Sequence, residues 1–178
     1  MCKFEKVRRT DDGIIPVRGT KYSAGYDLYA CEDTFIPSLA QVLCAWDVEE
    51  YMDKCHNLVD LAIVFKNHPE VRPTLVPTGI KAKLDSDCYL SISARSSLPY
   101  KSLLIVANAP GIIDADYYNN SNNEGEIFIQ LLNLSPYDIL IKKGDKLAQG
   151  VIQRYVRVEG DEVIIGAERT GGFGSTGE

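Results

Sequence analysis

LVPTGIKAKLDSDCYLSISA, Leu75 to Ala94, holds two short β-prone runs parted by a polar break, and its reading decides the fold. Outward from it the same pattern continues as SLLIVANA (Ser102–Ala109), GEIFIQLLNL (Gly125–Leu134), YDILIKKGDKLAQGVIQRY (Tyr137–Tyr155) and DEVIIGAE (Asp161–Glu168). Closely spaced strand patterns with no helical pattern between them predict an all-β sandwich or barrel. Breakers mark the expected turns: Pro77 with Gly79, Pro110 with Gly111, Pro136, Gly144 with Asp145, and Gly160 with Asp161. The run YYNNSNNEG from Tyr117 to Gly125 reads as a polar loop in a hairpin longer than the tightest type, of a polarity that can fold over a ligand.

Two segments depart from the β pattern. Between about Ser38 and Phe65, apolar residues from Leu39 to Leu61 recur at roughly helical intervals among acidic ones, predicting one or two amphipathic helices in an insertion over about 38–70. The tail from Thr170, TGGFGSTGE, has too little apolar content for a core element and predicts a flexible arm over 169–178 that a ligand or partner would order. With no linker or repeat, residues 1–178 are expected to form one domain.

Composition limits the function classes. The formal charge of −6 sets a repulsive mean field against polyanions, so no nucleic-acid partner is expected, and a small anionic substrate needs a local basic pocket or a metal. No signal-peptide stretch or membrane-length apolar segment occurs, so a cytoplasmic protein with no membrane partner is expected. Five irregularly spaced cysteines without a CxxC pair predict reduced thiols. His56 and His68 lie in or beside the helical insertion; Cys55 and His56 are adjacent and cannot share a helix face, which speaks against zinc.

Three blocks carry chemistry. In GIIDADYY, Asp114 and Asp116 are two apart; on a strand they would share a face, and like charges so close raise the pKa of one, which suits a general base. Turn-forming aspartates at a hairpin are the plainer alternative. Arg95, Ser96 and Ser97 follow a β run, and at a strand-to-turn transition a guanidinium, hydroxyls and turn N–H groups suit phosphate oxygens, although a surface Arg beside a Ser-rich turn has the same pattern. The segment is no Walker A loop. Phe173 stands alone among glycines that let backbone amides approach phosphates, and an aromatic on such an arm can stack on a base.

Together these blocks resemble the trimeric dUTP diphosphatase (dUTPase) family. SAGYDLYA (Ser23–Ala30), ARSSLPYK (Ala94–Lys101), NAPGIIDADYY (Asn108–Tyr118), GDKLAQGVI (Gly144–Ile152) and RTGGFGSTG (Arg169–Gly177) are similar to its five motifs, in order, and VPTGI (Val76–Ile80) has the family's look. The resemblance implies a jelly-roll-like distorted β-barrel with a small helical insertion, a homotrimer whose active sites draw on more than one subunit, and Mg2+-dependent hydrolysis of dUTP to dUMP and pyrophosphate. It implies Asp114 as the base for the attacking water and Tyr117 beneath the deoxyribose, where a 2′-hydroxyl would clash. Asn108 and the hairpin backbone, including Gly111 and Ile113, would read uracil and exclude a 5-methyl group. Arg95 and Ser96 would hold the α- and β-phosphates and Gln149 another phosphate oxygen, with Ser97 among the substrate-binding residues. Asp27 would hold magnesium mostly through its waters, Phe173 would stack on uracil, and Arg169, Gly174 and Ser175 would meet the phosphates. Ala94 and Ser97 replace the usual Pro and Gly of the second motif, and Arg169 stands four rather than five residues before Phe173. Two alternatives stay open: a dCTP deaminase-related enzyme, possibly bifunctional, which shares the fold and an Arg-Ser-Ser block, and a regulatory protein binding a partner through the insertion.

Overall fold

A computed structural model of the chain describes residues 1–44 and 72–160. Eleven strands occur among them: β1 Lys3–Lys6, β2 Val17–Arg18, β3 Tyr26–Tyr29, β4 Thr34–Ile36, β5 Thr74–Lys83, β6 Cys88–Ala94, β7 Leu104–Val106, β8 Gly111–Ile113, β9 Glu126–Asn133, β10 Ile139–Ile141 and β11 Lys146–Arg154. Helices are short: α1 Leu39–Cys44, α2 Ser97–Ser102 and a 3-10 turn Ala115–Tyr117. The mainly β class expected from the sequence is what forms.

Antiparallel pairing builds a four-stranded sheet in the order β1-β5-β9-β7, a five-stranded sheet β2-β3-β11-β6-β8 and the pair β10-β4. All three sheets feed one core: Val76, Leu104, Ile127, Ile129 and Leu131 from the first, Leu28, Leu90, Ile92, Leu147 and Ala148 from the second, Ile36 and Ile141 from the third. The period-two alternation of a strand explains the sorting. On β9, Ile127, Ile129 and Leu131 are buried while Phe128, Gln130 and Leu132 are half-buried on the other side.

Three sequence expectations need correction. Pro77 and Gly79 do not end a strand: they sit inside β5 at a register shift in its pairing with β9, where Gly79 has φ +66. A bulge is where an interior strand accepts a missing N–H and a left-handed residue. Arg95, Ser96 and Ser97 lead from β6 into α2 rather than into a turn, with Ser96 as the N-terminal cap residue whose side chain makes no capping bond. The strand carrying the two aspartates ends at Ile113; Asp114 is extended and Asp116 lies in the 3-10 turn, so they do not share a strand face.

One short helix, α1, lies at the start of the segment read as a helical insertion. Ser38 Oγ accepts from Gln41 N at 3.2 Å and caps α1, and Ser38 N donates to Asp138 Oδ1 at 2.7 Å, tying the start of the helix to the β9–β10 connection. The rest of the insertion, with Cys55, His56 and His68, lies outside the described residues, as do DEVIIGAE and the arm with Arg169, Phe173, Gly174 and Ser175. Among the described residues Cys2, Cys31 and Cys88 are free thiols, and no helix is long and apolar enough to cross a membrane.

Candidate active site

Strand β11 runs between β3 and β6, and its register places Gln149 opposite both Asp27 and Ser93. Leu28 and Ala148 face the core with no exposure, so Asp27 and Gln149 point to the opposite, outer face. Gln149 Nε2 donates to Ala94 O at 3.4 Å, and Gly25 lies so close that a Cβ there would stand 2.7 Å from Gln149 Oε1. Glycine at that position is a requirement of the approach.

Asp27 is 9% exposed and lies between two cations: Arg95 Nε is 3.2 Å from Oδ1 and Lys146 Nζ is 2.7 Å from Oδ2. The hydrogen bond to Asp27 holds the Lys146 ammonium above its ordinary pKa, assisted by the same carboxylate's charge. A register shift between Lys146 and Ala148 brings Lys146 to this face, opposite Tyr29; in a regular strand, residues three apart face opposite ways. The same bulge buries Leu147 and Ala148 together. Asp27, Arg95, Ser96, Lys146 and Gln149, with the glycine-rich segment around Gly19, Thr20, Ser23 and Gly25, line a polar cleft of about 420 Å³. In a protein of charge −6 this is a local positive site with hydroxyl and amide donors, suited to phosphoryl oxygens.

A second cavity, about 230 Å³, is enclosed by Asn108, Gly111, Ile112, Ile113, Tyr117, Phe128, Ile129 and Gln130, with Ile92 and Val106. Strand β8 pairs with β6 so that Gly111 lies opposite Ile92. A Cβ on Gly111 would approach Asn108 Nδ2 to 3.2 Å, so the glycine leaves the carboxamide room at the mouth. Tyr117 is 6% exposed; its hydroxyl donates to Glu126 O at 3.0 Å and accepts from Asn123 Nδ2 at 2.8 Å. The result is a slot with aliphatic and aromatic side chains in its walls and with carboxamides and backbone groups offering polar edges. Asp114 stands between two of its lining residues, Ile113 and Tyr117, and its backbone carbonyl accepts from Tyr117 N at 3.2 Å. Its carboxylate is on the exposed side of the chain.

The sequence-predicted residues thus fall into two groups. Asn108, Gly111, Ile113 and Tyr117 meet in the slot, while Asp27, Arg95, Ser96 and Gln149 meet in the polar cleft. Ser97 opens α2 and lines neither. Lys146 in the cleft, and Phe128 and Gln130 in the slot, were not anticipated; only the bulge puts Lys146 in place, and no local pattern announces it.

A metal fits this donor set only in part. Among the described residues no three His, Cys, Asp or Glu groups are placed to hold an ion directly. Each oxygen of Asp27 takes one cationic donor and keeps acceptor capacity for water, which suits an outer-shell role toward a hydrated, substrate-borne Mg2+.

Comparison with known proteins places these features in context. The dUTPase family model matches residues 61–177. The deoxyuridine 5′-triphosphate nucleotidohydrolase of Lactococcus lactis subsp. lactis is 37% identical over 164 residues, covering 92% of this chain and 87% of that protein. The crystal structure of dUTPase from Streptococcus mutans superposes with a TM-score of 0.68 at 32% identity, covering 89% of this chain and 99% of that one. A mutant dUTPase of phage phi11 of S. aureus, which coordinates a structural Mg(II) ion, shares the fold with a TM-score of 0.61 at 17% identity, covering 92% of this chain and 97% of that one.

Proposed function

The chain belongs to the dUTPase family and hydrolyses dUTP, and from that premise we propose how the slot and the cleft divide the work. The slot takes the nucleoside: Asn108 and the β8 backbone address the uracil edge, and the Tyr117 ring lies beneath the deoxyribose. The cleft takes the triphosphate: Arg95 and Ser96 hold the inner phosphates and Gln149 a further oxygen, with Ser97 and the arm residues Arg169, Gly174 and Ser175 adding donors. Asp114 accepts a proton from a water as its oxygen bonds to the α-phosphorus. The α–β bridging bond breaks, and its electrons leave with pyrophosphate. In such a displacement positioning and charge neutralisation do most of the work. Bound with the triphosphate, Mg2+ would supply further neutralisation, with Asp27 meeting its waters. Phe173 closes over the base.

The observation carrying this division is that the two cavities share no residue. Ile92 faces the slot from the core side of β6, whereas its neighbour Ser93 pairs with Gln149, whose side chain lies on the cleft side. The family resemblance implies a homotrimer, and on that reading a single nucleotide spans a slot on one protomer and a cleft on another. Residues 1–178 form one such domain, with the insertion over 38–70 peripheral and 169–178 as the arm.

The test is pyrophosphate release from dUTP, dCTP, dTTP and UTP, with and without magnesium. Release from dUTP, at least about a hundredfold faster than from the others, is expected: cytosine leaves the groups that address uracil unpaired, while the 5-methyl of dTTP and the 2′-hydroxyl of UTP meet the hairpin and Tyr117 sterically. Ammonia release from dCTP would instead identify the deaminase-related alternative.

A further inference from the structure

The polar loop after Tyr117 has no part in the division of work above, yet Asn120 and Asn123 are tied into it by several hydrogen bonds. Asn120 is 6% exposed. Its Nδ2 donates to Tyr117 O at 2.9 Å and Asn123 Oδ1 at 2.8 Å, and its Oδ1 accepts from Asn122 N at 3.0 Å and Asn123 N at 3.2 Å. A carboxamide has two donors and two acceptor sites, so Asn120 has nothing left to offer a ligand. Asn123 Oδ1 also accepts from Gly125 N at 3.1 Å, and Asn123 Nδ2 reaches the Tyr117 hydroxyl at 2.8 Å. The loop thus grips Tyr117 at its carbonyl and at its hydroxyl.

Outer contacts fix the loop to the body. Lys81, 6% exposed, donates to Asn119 Oδ1 at 2.6 Å and lies 5.2 Å from the centre of the Tyr118 ring. Arg8 Nε and backbone N donate to the Glu124 carboxylate at 2.5 and 2.7 Å. Buried Glu126, whose carbonyl receives the Tyr117 hydroxyl, is itself held by Arg9 and by Gly79 N at 2.9 Å.

We propose that Asn123 is a positioning residue: through the Tyr117 hydroxyl it sets the depth of the ring in the slot, and so the strength of selection against a ribose 2′-hydroxyl. The extended loop is a buttress for that side chain rather than a cover for the ligand. This rests on the reading that Tyr117 lies beneath the sugar. Without Asn123 the hydroxyl keeps only its bond to Glu126 O, so the ring can tilt about that remaining anchor, and a tilt of less than an ångström opens room for one oxygen. Binding of the base, addressed by Asn108 and β8, is left in place.

The measurement is the ratio of kcat/KM for dUTP to that for UTP, taken on one sample of each variant of the whole protein. Because both rates come from the same sample, any misfolded fraction cancels from the ratio. Asn123→Ala should lower the ratio about five- to tenfold, the scale of one lost hydrogen bond. Tyr117→Phe, which also gives up the hydroxyl's bond to Glu126 O, should lower it at least as far, and adding Asn123→Ala to Tyr117→Phe should lower it no further, as expected if Asn123 acts through that hydroxyl. An unchanged ratio in Asn123→Ala, or additive losses in the double variant, would overturn the proposal while Tyr117→Ala still abolishes selection. If Tyr117→Ala itself leaves the ratio unchanged, the placement of the sugar over Tyr117 is wrong, and the proposal falls with it.

Discussion

At the scale of single residues, the cleft depends on close approaches that the sequence does not display. Gly25 carries no motif chemistry, yet a methyl group there would meet Gln149 Oε1 at 2.7 Å and its Cβ at 3.1 Å. The far end of Gln149 can swing away, so Gly25→Ala should leave thermal stability nearly intact. It should lower kcat/KM for dUTP between about tenfold and a hundredfold, the usual consequence of displacing a substrate-positioning group by an ångström. Steady-state kinetics beside a melting curve checks this. Asp27, Arg95, Ser96 and Gln149 were legible as candidates because they stand in separated motif blocks. Lys146 was not, because a residue three before Gln149 belongs to the other face of any strand without a bulge, and no local pattern encodes this one.

At the scale of elements, the runs from Thr74 to Arg154 were legible because each carries enough β-prone residues between breakers to declare itself. Of the first four strands, all of two to four residues, β1, β3 and β4 gain hydrogen bonds from the distant β5, β11 and β10, and β2 is a two-residue edge paired with β3, so little local pattern reveals them. The hairpin loop was legible as polar but not as self-bonded. Its anchoring has a pH signature. Hydrogen bonds from the Arg8 backbone and then its side chain hold the Glu124 carboxyl below its ordinary pKa, near 4.3 for an unfolded glutamate. A lowered folded pKa means the contribution is complete above that value and is lost as pH falls through the lower folded one. Wild type should therefore melt slightly above Glu124→Gln at neutral pH, and the gap should close on acidification below the carboxylate range. A gap that persists unchanged in acid would contradict this origin.

At the scale of the whole molecule, a chain of net charge −6 concentrates Arg95 and Lys146 in one cleft and keeps a slot free of charged side chains on the core side of β6. On the proposed reading the nucleoside and the triphosphate occupy different cavities, and a ring of identical subunits joined by a head-to-tail interface would bring each slot to a neighbour's cleft. Mixing two inactive variants tests this most directly. Asp114→Asn removes the proposed water-activating base beside the slot and Arg95→Ala the guanidinium of the cleft, and each should lower turnover about a hundredfold or more. Co-assembled in equal amounts, the two chains should recover roughly a quarter of the wild-type rate of pyrophosphate release per site, since random neighbours in a closed ring pair an intact slot with an intact cleft about that often. Co-assemblies no more active than the sum of the separate variants would show that slot and cleft work within one subunit.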